Sequence, residues 1–300
     1  MEFLKAHGTG NDFVVLVDLD DRLEVSPVLV RALCDRRRGV GADGVIRIGA
    51  PRSAAAAFMD YRNADGSTVE MCGNGVRVVA KLLVDHGLAA PDEASTLRID
   101  TRAGVRPVTV RQGPDGRVAE VTVDMGVPEF DPAQVPFVPE QPVSAGREPR
   151  HRLELDGRVL ELTAVSMGNP HAVLPAADVG RAPVGEIGPQ LERHPSFPAG
   201  VNVGFAEVAG PDRIRLRVWE RGVGETAACG TGACAAVVAL QATSEVGEQV
   251  TVDLPGGRLT VSYRAGGRVL MTGPAVEVAG GRLCTAWLEA ARRGELEAAS

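Results

Sequence analysis

Cys72-Gly73-Asn74-Gly75-Val76-Arg77-Val78-Val79-Ala80-Lys81-Leu82-Leu83 and Cys229-Gly230-Thr231-Gly232-Ala233-Cys234-Ala235-Ala236-Val237-Val238-Ala239-Leu240 are two versions of one pattern: a cysteine, a Gly-x-Gly and an apolar run. Upstream, Gly10-Asn11-Asp12-Phe13-Val14-Val15-Leu16 matches Gly168-Asn169-Pro170-His171-Ala172-Val173-Leu174, and the two offsets agree to within one residue. At this offset Asn63 answers Glu220, nine residues before each cysteine, and Gly44 answers Asn202. A repeat anchored at two independent places makes the chain two copies of one half. Its 300 residues are also about twice the usual single-domain length.

Each half reads as a sheet around one helix. Phe13–Val17, Val45–Ile48, Val118–Val123, Arg158–Ala164, Ile214–Val218, Val250–Leu254 and Arg258–Ser262 are short β-branched runs bounded by Gly, Pro and Asp turns, which predicts strands. Asn74 to His86, stopped at Gly87, and Thr231 to Gln241 predict helices that are apolar on nearly all sides and therefore buried. The expected class is α/β (α+β): two pseudo-symmetric domains, each a mixed, largely antiparallel sheet wrapped around a central apolar helix. Residues 1–127 plus 275–300 form the expected N-terminal domain carrying Cys72, and 128–274 the C-terminal domain carrying Cys229. Pro- and Gly-rich Asp131–Arg152 reads as the irregular connection, and the chain after Val278 as a strand followed by a surface helix.

Composition narrows the function. Hydrophobic residues at 44% and charged residues at 24% describe a globular protein and not a disordered one. A net charge of −7 and 4% aromatic residues offer neither a basic track nor a stacking platform for nucleic acid. The longest apolar run, Ala233–Leu240, falls far short of the roughly 20 residues that cross a bilayer. The N-terminus has no basic or apolar signal region, so the expected compartment is the cytoplasm. Five cysteines, an odd number, argue for reduced thiols over a disulfide framework. Only Lys5 and Lys81 could form a Schiff base. No metal is expected, because there is no C-x-x-C pair and the five histidines lack ligand spacing.

A cysteine just before a helix start faces unpaired N–H groups and the positive end of the helix dipole, which stabilise thiolate and lower its pKa. The Gly-x-Gly that follows lets backbone N–H groups approach a ligand, so Gly73 and Asn74, with Gly230 and Thr231, are candidate donors to a carboxylate. Two such thiols suit the removal of a proton from one face of a carbon acid and its return on the other. Hydrogen bonds aimed at the carboxylate stabilise the carbanion between the two steps. Cys34, Cys234 and Cys284 lack the glycine setting and read as core.

Met71-Cys72-Gly73-Asn74-Gly75-Val76-Arg77, the run Glu220-Arg221-Gly222-Val223-Gly224-Glu225-Thr226 leading into Ala228-Cys229-Gly230-Thr231-Gly232-Ala233, His7-Gly8-Thr9-Gly10-Asn11-Asp12-Phe13 and Met167-Gly168-Asn169-Pro170-His171 together closely resemble the diaminopimelate epimerase family. The likeness runs from His7 to about Gly273. It implies a diaminopimelate epimerase-like fold and a cofactor-independent homodimer that interconverts LL- and meso-diaminopimelate, toward lysine and peptidoglycan. By the same resemblance Cys72 and Cys229 are the proton donor and acceptor. His171 and Glu220 tune the thiols, and Asn11, Asn63, Asn169, Asn202, Glu220 and Arg221 bind substrate. A His or carboxylate beside a thiol can take its proton, and a distal amino-carboxylate end calls for Arg and for amide or carboxylate oxygens.

One position departs from the pattern. Some members place a substrate-binding Gln where this chain has Gly44, in Gly39-Val40-Gly41-Ala42-Asp43-Gly44, so any contact there is backbone or absent. Rival readings are a proline or hydroxyproline racemase, an epimerase of another amino acid, a phenazine-type isomerase, and a non-catalytic amino-acid binding protein. Asn74 and Thr226-Ala227-Ala228 differ from the proline-racemase pattern, and the last two readings have no need of a cysteine pair.

Overall fold

The structure is a computed structural model that describes residues 1–140 and 150–296. Contacts divide the chain into two compact units, Met1–Val123 with Gly273–Ser300, and Asp124–Thr272. In the first unit the strands are β1 (Glu2–Gly8), β2 (Asn11–Asp18), β3 (Gly44–Gly49), β4 (Ala57–Asn63), β5 (Thr68–Val69), β6 (Thr96–Thr101), β7 (Gly104–Gln112) and β8 (Val118–Gly126). Helix α1 (Pro27–Cys34) lies between β2 and β3, and α2 (Gly73–Asp85) between β5 and β6. In the second unit β9 (Arg150–Leu155), β10 (Arg158–Ser166), β11 (Pro170–Pro175), β12 (Asn202–Gly210), β13 (Arg213–Glu220), β14 (Gly224–Thr226), β15 (Gln249–Leu254), β16 (Gly257–Ser262) and β17 (Val269–Gly273) carry α3 (Val184–Glu192) and α4 (Gly230–Ala242). The chain ends in β18 (Val276–Arg282) and α5 (Thr285–Arg293).

The repeat is reproduced strand for strand. In the first unit β1–β2 is antiparallel, β2–β3 parallel, β3–β4 and β4–β5 antiparallel, β4–β6 parallel, and β6–β7 and β7–β8 antiparallel. The second unit gives the same directions in the same order from β10 to β17. An added strand flanks each series, β18 on β1 and β9 on β10. The two parallel pairs in each unit need a crossover, and helices supply it: α1 and α3 after the first strand pair, α2 and α4 after the third.

Both central helices are buried as expected, although only α4 is apolar on all sides. Helix α2 buries Gly73–Ala80, Leu82 and Leu83, and packs on β1, β4, β6, β7 and β18. Helix α4 buries Gly230 and Gly232–Leu240 and packs on β10–β13 and β16. Contact with strands on several sides explains why α4 is apolar all round, whereas α2 keeps one stripe, Asn74, Arg77, Lys81 and Asp85, whose polar groups are hydrogen-bonded. Truncating Leu82 or Leu83 to Ala carries the cavity penalty of about 2–5 kcal/mol. Helix α2 stops where Gly87 turns left-handed at φ 65°, which lets the N–H of Leu88 close back on Leu83 O.

Two expectations change. Within Asp131–Arg152, residues 141–149 lie outside the described residues. The part before them is less irregular than its composition implies, since Val135 and Phe137 enter the core of the second unit and Phe137 stacks on Phe197. Cys284 is exposed, not core, because it precedes an amphipathic helix that buries only Leu288 and Ala291. Cys34 and Cys234 are buried as expected, and none of the five cysteines is in a disulfide. Helix α5 packs on α1, while residues 297–300 of the expected surface helix lie outside the described residues. Among the described residues no helix is long and apolar enough to cross a membrane.

Candidate active site

Cys72 is the N-cap of α2. Its backbone is extended (φ −139°, ψ 116°), and the N–H of Gly75 donates to Sγ at 3.5 Å. Gly75 has a packing reason as well as a hydrogen-bonding one: a Cβ there would lie 3.1 Å from Ile46 Cδ1. The thiol faces Asn11, with Sγ to Oδ1 3.8 Å. Asn74 Nδ2 donates to the same oxygen at 3.3 Å, and Asn11 Nδ2 donates to Asp43 Oδ2 at 2.9 Å.

A buried cation holds this cluster together. Arg77, fully buried in α2, donates through Nη2 to Thr9 Oγ1 at 2.6 Å and Asn74 Oδ1 at 2.9 Å, and through Nε to Pro274 O at 3.3 Å. It thereby ties the turn before β2 to the start of α2. Thr9 sits at φ 56°, and a Cβ on Gly8 would lie 2.9 Å from Asn74 O, so the close approach requires glycine.

Asn63 closes β4, opposite Gly44 in the β3–β4 ladder. It accepts from the Tyr61 hydroxyl at 3.1 Å and donates to Ser67 Oγ at 3.1 Å, with no hydrogen bond to the Asn11 cluster among those described. Gly44 has no room for a side chain: a Cβ would lie 2.4 Å from Arg62 O and 2.5 Å from Tyr61 Cε2. The ring of Tyr61 fills the space a side chain at this position would enter.

In the second unit Cys229 is the N-cap of α4, also extended (φ −116°, ψ 115°), and Gly232 N–H donates to Sγ at 3.3 Å. Thr231 Oγ1 lies 3.5 Å from Sγ and receives Asn169 Nδ2 at 3.5 Å, while Asn169 Oδ1 faces His171 Nε2 at 3.0 Å. Asn202 spans two segments, donating to Pro170 O and accepting from Arg221 N–H, each at 3.0 Å. Arg221 donates to Ala199 O at 2.7 Å, and Glu192 takes both Trp219 Nε1 and Gly222 N–H, which fixes the loop around Glu220 and Arg221. The Thr226 hydroxyl donates to Glu220 Oε1.

The electrostatics differ from the simple helix-end expectation. Burial pushes the Cys229 thiol well above its ordinary value, and the Glu220 carboxylate adds to this; the bonds from Thr231 and Gly232 only partly offset them. The helix end therefore does not make Cys229 a resting thiolate: desolvation of the charge outweighs it. Burial, with the charge of Arg221 adding, pushes His171 down to about 3, so the ring is neutral at neutral pH and resists taking a proton. Glu220 is the better proton acceptor for Cys229.

Sequence reading had passed over Arg77, Thr9, Asp43 and Thr226. For Arg77 a signal existed, since a lone cation among Val76, Val78 and Val79 in a buried helix must have buried acceptors. Thr9 and Asp43 act across turns whose closure no local spacing reveals. Among the described residues no group of three or more His, Cys, Asp or Glu could hold a metal ion.

Known structures define the class first. The fold is shared with a hydroxyproline epimerase from Agrobacterium vitis (TM-score 0.65, 20% identity, 94% of this chain and 90% of that one). A phenazine biosynthesis protein of the PhzF family from Bacillus anthracis shares it too (TM-score 0.61, 15% identity, 95% and 99%). These are proteins of one fold with different activities. The diaminopimelate epimerase family model matches residues 3–130 and 163–278. A diaminopimelate epimerase from Halorhodospira halophila is 51% identical over 94% of this chain and 95% of its own length. One from Thioalkalivibrio sulfidiphilus is 48% identical over 93% and 97%. The chain belongs to the diaminopimelate epimerase family.

Proposed function

We propose that this protein is an isomerase that interconverts LL- and meso-2,6-diaminopimelate without a cofactor, with Cys72 and Cys229 as the two proton-transfer groups. The observation that carries the reading is the pair of thiols on topologically equivalent helix starts, each receiving an N–H from the second glycine of its motif. Family membership supplies the substrate.

The chemistry follows from the groups present. Glu220 takes the Cys229 proton, and the thiolate removes the α-hydrogen. The electron pair is held on the α-carbon and into the carboxylate, where N–H groups of Gly73 and Asn74, or of Gly230 and Thr231, donate hydrogen bonds to the growing charge. The other thiol gives its proton to the opposite face, and the roles exchange in the reverse direction. Asn11 meets Cys72 directly and Asn169 meets Cys229 through Thr231, while Asn63, Asn202, Glu220 and Arg221 read the distal amino-carboxylate end. His171, held neutral, keeps Asn169 aligned. Each compact unit acts as one epimerase half, residues 1–127 with 275–300 and residues 128–274, in a cytoplasmic homodimer.

The test is turnover of LL-diaminopimelate by the purified, chelator-treated protein, with proline and hydroxyproline run alongside. Conversion to the meso form alone supports the reading; inversion of proline without diaminopimelate turnover overturns it.

A further inference from the structure

The geometry points to Asp43 as a positioning residue that acts through the Asn11 amide to hold Cys72 as a thiol. The inference rests on the two-thiol reading above and adds to it what holds the first thiol protonated.

A carboxylate only accepts, so the Asn11 atom 2.9 Å from Asp43 Oδ2 must be the N–H donor and the other end, facing Cys72, must be the carbonyl. The opposite side of the cluster requires the same orientation. Arg77 only donates, so the Asn74 atom 2.9 Å from Nη2 is its oxygen; Asn74 therefore turns its N–H to Asn11, whose facing atom must accept. Oxygen toward Cys72 is thus fixed twice, from an anion on one side and a cation on the other. A carbonyl 3.8 Å from Sγ accepts S–H and repels thiolate, which favours the protonated form.

Asp43 is held firmly enough to impose this. Its N–H donates to Asp12 Oδ1 at 3.0 Å, the N–H of Asp12 donates back to Asp43 Oδ2 at 3.1 Å, and Arg36 Nη2 bridges both carboxylates at 2.7 Å. Lys5 adds a second cation on Asp12. The charged groups around the Asn11–Cys72 contact are therefore Asp43, Asp12, Arg36 and Lys5 on one side and Arg77 on the other. At the repeat offset, buried Val201 of the second unit stands where Asp43 stands in the first. There Asn169 turns its N–H, not its oxygen, toward Thr231 beside Cys229, and Glu220 is the acceptor. The repeated halves have diverged in what holds each thiol protonated: an amide anchored by Asp43 at Cys72, and burial with the Glu220 carboxylate at Cys229.

The experiment reads thiol chemistry independently of turnover. Rates of iodoacetamide alkylation at Cys72 and Cys229, resolved by peptide mass, are followed against pH in the unsubstituted protein, Asp43→Asn, Asn11→Leu and the double variant. Asp43→Asn removes the anionic anchor and leaves only the Asn74 N–H to orient the amide, so conformers with N–H toward sulfur become populated and the Cys72 midpoint is expected to fall by about one unit with Cys229 unchanged. In the Asn11→Leu background Asp43→Asn should add no further shift. An unmoved Cys72 midpoint overturns the inference, as does a shift that persists without Asn11, which would be through-space charge. Should Asp43→Asn not fold, Asp43→Ser is read in the same way. Failure of the unsubstituted protein to convert diaminopimelate, with the alkylation shift present, would overturn the proposed function and leave the Asp43–Asn11 link standing.

Discussion

His171 Nε2 stands 3.0 Å from Asn169 Oδ1, with the ring wholly buried and pushed down to about 3 by that burial and by Arg221. An unfolded histidine titrates near 6.5. As pH falls the unfolded chain takes the proton first, so this contribution to stability is complete above about pH 6.5 and is lost progressively toward about pH 3. Between about pH 6.5 and 5 the loss is about 2 kcal/mol. Urea midpoints measured across that range should fall, and His171→Gln should flatten the dependence. Asp12 belongs to a separate window: burial raises it, the Arg36 and Lys5 bonds outweigh the burial, and its contribution is lost only below about pH 4.

Glu220→Gln should separate thiol reactivity from turnover. Removing the carboxylate takes away a charge that opposes Cys229 ionisation, while the larger effect of burial remains. Alkylation of Cys229 at fixed pH should quicken, yet epimerisation should drop by about a hundredfold or more because the proton acceptor is gone. The idea fails if both rates move in the same direction.

Arg77→Met should destabilise the first unit by about 2–5 kcal/mol, since it leaves Thr9, Asn74 and Pro274 O without a buried donor. Chemical denaturation measures this. A loss below about 0.5 kcal/mol, the size expected of a surface position, would show that the cation does not hold the Gly8–Gly10 turn.

Adding a Gln side chain at Gly44 should not help. Gly44→Gln puts a Cβ 2.4 Å from the carbonyl of Arg62 in the adjacent strand, a backbone atom that cannot swing aside. The variant should lose at least about 2 kcal/mol of stability and gain no affinity for diaminopimelate; tighter binding with unchanged stability would mean that the Tyr61 ring yields.

Much of the fold was legible because the chain says it twice. The repeat offset matched Phe13 with His171 and Gly44 with Asn202, and these stand in equivalent pairs of the β2–β3 and β11–β12 ladders; Asn63 and Glu220 likewise end β4 and β13. Strand β1 and helix α3 were not legible. Lys5 and His7 interrupt the strand alternation of β1, and α3 carries Gly185, Gly188 and Pro189, which local propensity reads as loop. At the site, the motifs marked the cysteines but not their protonation. That depends on burial and on which end of an amide faces sulfur, and both are set by residues such as Asp43 and Arg77 that meet Asn11 and Asn74 only after folding.

The most direct test of the two-thiol account is isotope exchange with LL-diaminopimelate in heavy water, stopped at low conversion. With separate thiols acting on the two faces, the meso product carries deuterium at the inverted centre while recovered LL substrate stays essentially unlabelled. Recovered substrate that gains deuterium at the same rate as product would mean that one base serves both faces, and would contradict the account.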